Sequence, residues 1–241
     1  MGLVHGAQEP LGVRDGLVLY LDAANARSYP RSGTTWFDRS GNGNNGTLVN
    51  GVGYNSANFG SLVFDGTNDY AEITDSLNNF DLGGIDATLE FWIYIPSTSG
   101  ADVIIGKGGN TASWVLTDGF IYLFSYDNAN NRFIFYYNNG GGAAGVTGIS
   151  AGTQPINNWY QVVVVTTTAN DIRFYVNTTN IVSATNAISK PTTRTRFRIG
   201  TDLSGNYTNA RIPVVRIYKN KALSAAEVSQ NYNALKHRYG L

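Results

Sequence analysis

From Gly16 onward, short apolar runs alternate with turns rich in Gly, Asn, Asp and Ser at intervals of about 8–15 residues, the rhythm of an all-β sandwich. The run "LVLYLD" opens the series. In "ATLEFWIYIP" the alternation is clean: Leu89, Phe91, Ile93 and Ile95 share one face, Thr88, Glu90, Trp92 and Tyr94 the other, and Pro96 closes the strand. "SWVLTDGFIYLFSY" predicts a hairpin around Asp118-Gly119, a pair that supplies the positive φ of a type I′ turn. "RFIFYYN" follows as a strand, and the glycines of "NNGGGAAGVTGISAG" predict a mobile crossing instead of packed structure. "WYQVVVVTTT" and "DIRFYVN" form a second hairpin with Ala169-Asn170-Asp171 at its tip, and "RFRIGTD" and "IPVVRIYKN" complete the sheets.

The C-terminal segment "LSAAEVSQNYNALKHRYG" changes period. Ser224 and Glu227 have capping-box spacing, Leu223 and Val228 are placed as a hydrophobic staple, and Val228, Tyr232 and Leu235 form one apolar stripe. Lys236, His237 and Arg238 suit the negative end of the dipole, and Gly240 suits the stop. These signals predict a short helix over 225–239, packed on the sandwich. At the other end, residues 1–15 read as an arm without period, leaving 16–241 as one domain; no internal repeat interrupts it.

Taken together, "DGLVLYLDAANARSYP", "TTWFDRSGNGNNGTLVNG", "SLVFDGTNDYAEI", "ATLEFWIYI" and the closing "IYKNKALSAAEVSQNYNALKHRYG" resemble the laminin-G-like, concanavalin A-like jelly-roll family, especially the versions in tailed-phage structural proteins. The likeness runs from Asp15 to the end. It implies a two-sheet antiparallel jelly-roll sandwich with a short C-terminal α-helix, and a role in binding or virion structure without catalysis. The partners it implies are other virion proteins, whether capsid or tail, with surface glycans as the alternative, and the place it implies is the virion, assembled in the host cytoplasm.

Composition narrows this further. Lys+Arg 17 balances Asp+Glu 17, so there is no basic field for nucleic acid or an anionic membrane. Only 14% of residues are charged, yet 42% are hydrophobic and 12% aromatic, enough for a core. With no Cys, assembly in a reducing compartment is expected and a thiol nucleophile is excluded. The start "MGLVHGAQEP" has no apolar leader pattern, and a soluble protein is expected.

Candidate chemistry is sparse. Glucanases of the resembled superfamily carry alternating carboxylates on one strand, whereas Glu90 stands between Thr88 and Trp92, and Glu72 between Tyr70 and Thr74. His5 and His237 are the only histidines, which leaves no triad. No catalytic residue and no required cofactor are expected. Calcium is the one metal with candidate ligands: Asp65, Asn68 and Asp69 in "SLVFDGTNDYAEI", and Asp38, Asn42 and Asn44 in "DRSGNGNNG". The competing reading is that Asp and Asn here fold corners through side-chain-to-backbone hydrogen bonds, and that reading is preferred. Sugar stacking has candidates in Tyr126, Tyr136, Tyr137 and Tyr207, against the alternative that tyrosines pack on sheet faces. Trp36, Trp92, Trp114 and Trp159 are expected in the core.

Overall fold

The computed structural model describes residues 12–96, 102–108, 120–139, 146–185, 188, 195–202 and 205–241. The Asp118-Gly119 turn, Trp114 and the arm up to Leu11 lie outside them. In chain order the first strands are β1 (Leu17–Asp22), β2 (Thr35–Trp36), β3 (Gly46–Val49), β4 (Gly53–Asn55), β5 (Ser61–Asp65) and β6 (Tyr70–Thr74). There follow β7 (Ala87–Tyr94), β8 (Asp102–Gly108), β9 (Phe120–Asp127), β10 (Arg132–Asn138) and β11 (Val146–Ser150). The last are β12 (Trp159–Thr166), β13 (Asp171–Val176), β14 (Thr179–Thr185), β15 (Arg196–Ile199) and β16 (Asn209–Lys219), before helix α1 (Ala225–Leu235).

They form two antiparallel sheets. The first runs β14-β13-β12-β7-β16-β5-β4, with β1 also paired to β16, and the second runs β11-β10-β9-β8-β15-β6-β3-β2. Between them lies one large apolar core that includes Leu89, Phe91 and Ile93 from β7, Phe124 from β9 and Phe135 from β10. Phe91 meets Phe124 edge-on with centroids 5.1 Å apart, a favoured aromatic geometry across the two layers. The expected alternation of β7 therefore holds, but its second face is buried as well. The cause is α1 and the 3-10 turn after it. Val228 and Leu223 pack with Val163, Val165 and Tyr218, while Leu235 and Tyr239 pack with Trp92, Trp159 and Val214.

The helix start follows the sequence signal. Ser224 Oγ accepts the Glu227 N–H at 3.3 Å, and Glu227 Oε2 accepts the Ser224 N–H at 2.8 Å. The α-helix stops at Leu235 and continues as a 3-10 turn through Tyr239, ended by Gly240 at φ 73°. Its buried stripe is Val228, Asn231, Ala234 and Leu235, with Tyr232 half-buried and stacked on Trp92 at 5.5 Å. Asn231 replaces an apolar residue in that stripe because it meets a buried charge, described below.

One expectation fails. Val146–Ser150, inside the supposed mobile crossing, is strand β11, paired to β10 with Gly148 opposite Tyr136. A Cβ at 148 would sit 2.9 Å from the Tyr136 ring, so this glycine lets the ring lie across its neighbour. Asparagine, by contrast, is turn chemistry as expected: of the ten non-glycine residues with positive φ among those described, eight are Asn.

Among the described residues no helix is long and apolar enough to cross a membrane. Two stability measurements check the helix cover. Ser224→Ala should cost about 1 kcal/mol in equilibrium denaturation through the lost cap. Arg216→Met, which strands the Glu90 carboxylate beneath α1, should cost roughly 3–5 kcal/mol, with the double variant Glu90→Gln/Arg216→Met recovering most of it.

Candidate functional site

The acidic corner after β5 is built as a turn. Asp65 Oδ1 accepts the Thr67 N–H at 2.7 Å, Gly66 takes φ 78°, and the Asn68 carbonyl accepts from Asn50 Nδ2 at 3.0 Å. Asp69 is buried, and desolvation together with the nearby Asp65 charge raises its carboxyl above the ordinary value. The Asp65 side chain therefore closes the corner through a local side-chain-to-backbone bond.

The loop after β2 is organised even more tightly. Asp38 is buried, and its carboxylate accepts four hydrogen bonds: Tyr20 N–H and Ser40 N–H on Oδ1, Ser40 Oγ and Asn44 N–H on Oδ2, all between 2.7 and 3.0 Å. Asn44 and Asn42 donate to the Val18 and Leu17 carbonyls of β1, and Asn45 accepts from the Asp38 N–H. Four donors fill the lone pairs that a cation would need. The segment welds a loop to the first strand.

Glu90 is not alone after all. It is fully buried between the first sheet and α1, and it accepts from Gln161 Nε2 at 3.0 Å, Arg216 Nη1 at 3.3 Å and Asn231 Nδ2 at 2.7 Å. Asn231 also donates to the Tyr218 hydroxyl at 2.9 Å, and that hydroxyl donates to the Val13 carbonyl at 3.1 Å. The Val13 N–H returns to Asn231 Oδ1 at 2.8 Å. Burial and the Glu90 charge both push the Tyr218 hydroxyl up, against the lowering effect of Arg216. The carboxylate is sealed from solvent and engaged on both oxygens, an arrangement for holding a helix and not for attacking a glycosidic bond.

Of the four tyrosines named from sequence, Tyr126 and Tyr137 face inward. Tyr126 is 3% exposed and donates to the Gln154 carbonyl at 2.5 Å, and Tyr137 is 0% exposed beside Phe135. Neither presents a ring face to a sugar. Strand alternation is the reason: Tyr126 shares its side of β9 with Phe124, and Tyr137 its side of β10 with Phe135. Tyr207 is half-buried in an isolated bridge with Thr201. Tyr136, one residue from Tyr137, points to the outer face of the second sheet and is half-buried.

That outer face carries a transverse row set by strand register. Gly148, Tyr136, Leu123, Gly106, Arg198, Glu72 and Thr47 lie opposite one another from β11 to β3. Leu123 and Gly106 form a buried floor between the Tyr136 ring and a polar bank. On that bank Arg198 Nε bonds Glu72 Oε2 at 2.7 Å, and its guanidinium lies 4.8 Å from the Tyr70 ring centre. Gly148 and Thr47 at the two ends are exposed. The row thus offers an aromatic side wall, a low floor of Leu123 and Gly106, and an oriented arginine–carboxylate pair. Sequence reading missed Arg198 and Glu72 as a unit because they lie 126 positions apart; "RFRIG" alternation was the available signal for Arg198 pointing outward.

No curated protein matches the chain by sequence. Among solved structures, the Trypanosoma rangeli sialidase in complex with sialic acid superposes with TM-score 0.68 at 18% identity, covering 97% of this chain and 35% of that one. The binding domain of Paraclostridial Mosquitocidal Protein 1 superposes with TM-score 0.67 at 16% identity, covering 92% and 52%. This chain thus spans about a third to a half of those proteins, and at such identities the likeness is one of fold. Residues 65–229 match the family described as the concanavalin A-like lectin/glucanases superfamily, of laminin-G type, and it is to this superfamily that the chain belongs.

Proposed function

We propose that this chain is a non-enzymatic structural protein of a tailed-bacteriophage virion, a capsid decoration or a tail or fibre component, assembled in the host cytoplasm. The placement in a virion rests on the resemblance of its Asp38–Gly46 loop and helical tail to phage structural proteins. The observation that carries the mechanical part is the opposition of two faces. Val13, within the N-terminal arm, is tied to Asn231 and Tyr218 on the helix-covered side of the first sheet. The row from Tyr136 to Glu72 lies on the outer side of the other sheet. A domain tethered through its arm therefore directs that row away from the tether. Neither glutamate singled out from sequence stands free for acid–base work, which supports a non-catalytic role: Glu90 is buried among three donors and Glu72 is paired with Arg198.

The second reading is glycan attachment through the same outer face, favoured by the Tyr136, Arg198 and Glu72 arrangement. The sialidase and toxin binding domain that share the fold support it as analogy only. One protein can serve both roles.

For the virion role, purified particles should contain the protein at fixed stoichiometry by quantitative mass spectrometry. Deleting residues 2–11 should abolish incorporation while the melting temperature moves by no more than about 2 °C, since a segment with so little periodic apolar surface is expected to add little to stability. Normal occupancy of the truncated protein would place attachment on the sandwich instead. For the glycan role, the isolated protein should bind on a glycan array, and Arg198→Ala or Tyr136→Ala should weaken binding about tenfold or more, the worth of one good contact. An array without signal removes the second reading and leaves the first standing.

A further inference from the structure

Inside the second sheet, away from the outer row, lies a cluster with no part in either role. Lys107 on β8 points into the sandwich and is 0% exposed. Its Nζ is in direct contact with Asp75 Oδ2, just beyond β6, and lies 2.6 Å from Asp81 Oδ1. Phe197, opposite Lys107 on β15, sits edge-on to Phe80 at 5.2 Å, and the Tyr122 hydroxyl donates to the Phe80 carbonyl. Lys107 and Asp75 are closed to solvent, while Asp81 is 16% exposed and also feels the charge of Lys219, which bonds Asn79 Oδ1 at 3.0 Å. A lone buried ion pair would need one carboxylate. Here there are two, and they are held differently. Asp75 is fixed by backbone donors, the Asn79 N–H on Oδ1 at 2.6 Å and the Phe80 N–H on Oδ2 at 2.9 Å. Asp81 Oδ1 is buried and, among the described residues, receives no other donor.

The geometry points to an intramolecular isopeptide bond between Lys107 Nζ and Asp75 Cγ, formed by the folded protein itself with Asp81 as the proton relay. Nucleophile, electrophile and relay are all in van der Waals or hydrogen-bond contact, so the reaction needs no diffusion and gains the full advantage of proximity. Transfer of one proton from the ammonium to the Asp75 carboxylate leaves a neutral amine facing a neutral carboxyl, a state that an apolar cavity favours over two charges. The nitrogen lone pair then forms the bond to Cγ. The oxygen held by the Asn79 N–H takes the developing negative charge. Asp81 removes the second proton from nitrogen and delivers it to the departing hydroxyl, which leaves as water. The sum, –NH3+ and –COO− giving –NH–CO– and H2O, balances in atoms and charge and requires no oxidant or cofactor. Burial raises the Asp81 carboxyl above its ordinary value, with Asp75 adding to the rise and Lys107 opposing it, which suits a group that must both take and give a proton.

The bond would tie β8 to the end of β6 across β15, enclosing β7 in a covalent loop. Such a link resists pulling and heat, and it stands whether or not the virion reading does.

Intact-mass spectrometry of the purified full chain tests it. The expected mass is that of the sequence less one water, and digestion should yield a branched peptide joining the Asp75 and Lys107 segments. Lys107→Arg should restore the full mass, and Asp81→Asn should leave folded protein largely unlinked. A wild-type chain that unfolds cooperatively yet has the full sequence mass would overturn the proposal, whatever the variants do. A branch at Asp81, or complete linkage in Asp81→Asn, would overturn the roles given to the two carboxylates.

Discussion

The first sheet is buried on both faces, and the constraint this imposes is centred on one carboxylate. Glu90 projects from β7 toward α1, where no water reaches it. A carboxylate in that position is tolerable only if its oxygens are engaged and its charge is balanced. Arg216 faces it directly across the β7–β16 pair, Gln161 reaches it from β12, and Asn231 reaches down from the helix. Three strands and the helix are thereby locked in one register. Shifting β16 by a single residue would turn Arg216 to the core side and leave Glu90 unbalanced. Desolvation is the largest influence and works against the Arg216 charge, but Glu90 together with Tyr218 and Tyr20 outweighs it and holds the guanidinium above its ordinary range. The Arg216 plane also lies 4.8 Å from the Tyr20 ring centre, which brings β1 into the same assembly.

From that point the ends of the chain follow. The Tyr20 hydroxyl donates to Asp22, and Asp22 takes two contacts of 3.0 Å from Arg238 in the closing 3-10 turn. Asp38 bonds the Tyr20 N–H, so the loop after β2 is held against the same strand. Val13 enters the Asn231 network from the N-terminal side. Val13 and Arg238 therefore both lie on the helix-covered side, opposite the outer face of the second sheet.

The parts of this legible in sequence were those carried by local period. Alternation in β7, the capping box at Ser224, and the asparagines at left-handed corners all act within a few residues of themselves. What sequence reading lost was set by pairing at a distance. Glu90 looked solitary because its partners are 71, 126 and 141 positions away. Asn231 gave no signal, because an apolar stripe has no rule for a polar member that meets a buried charge. Tyr136 and Tyr137 were equivalent candidates until register sent one outward and one into the core. The glycine-rich crossing hid β11, since Gly148 reads as flexibility when its role is to admit the Tyr136 ring.

The small charge count takes on a different meaning in this light. With only 14% of residues charged, the chain nonetheless places Glu90 with Arg216, Asp22 with Arg238, and Lys107 with Asp75 and Asp81 in buried or largely buried clusters. Such pairs contribute little net stability over well-packed apolar residues of the same size. Their value is against alternatives, because any packing that separates them strands a charge in the interior. A sandwich of many similar strands rich in Val, Ile and Thr has numerous near-equivalent registers, and apolar contacts alone discriminate weakly among them. The three clusters sit beneath the helix, between β1 and the closing 3-10 turn, and at the junction of β6, β15 and β8. A polar surface supplied largely by neutral Asn, Thr and Ser costs less to strip of water in any contact than a charged one.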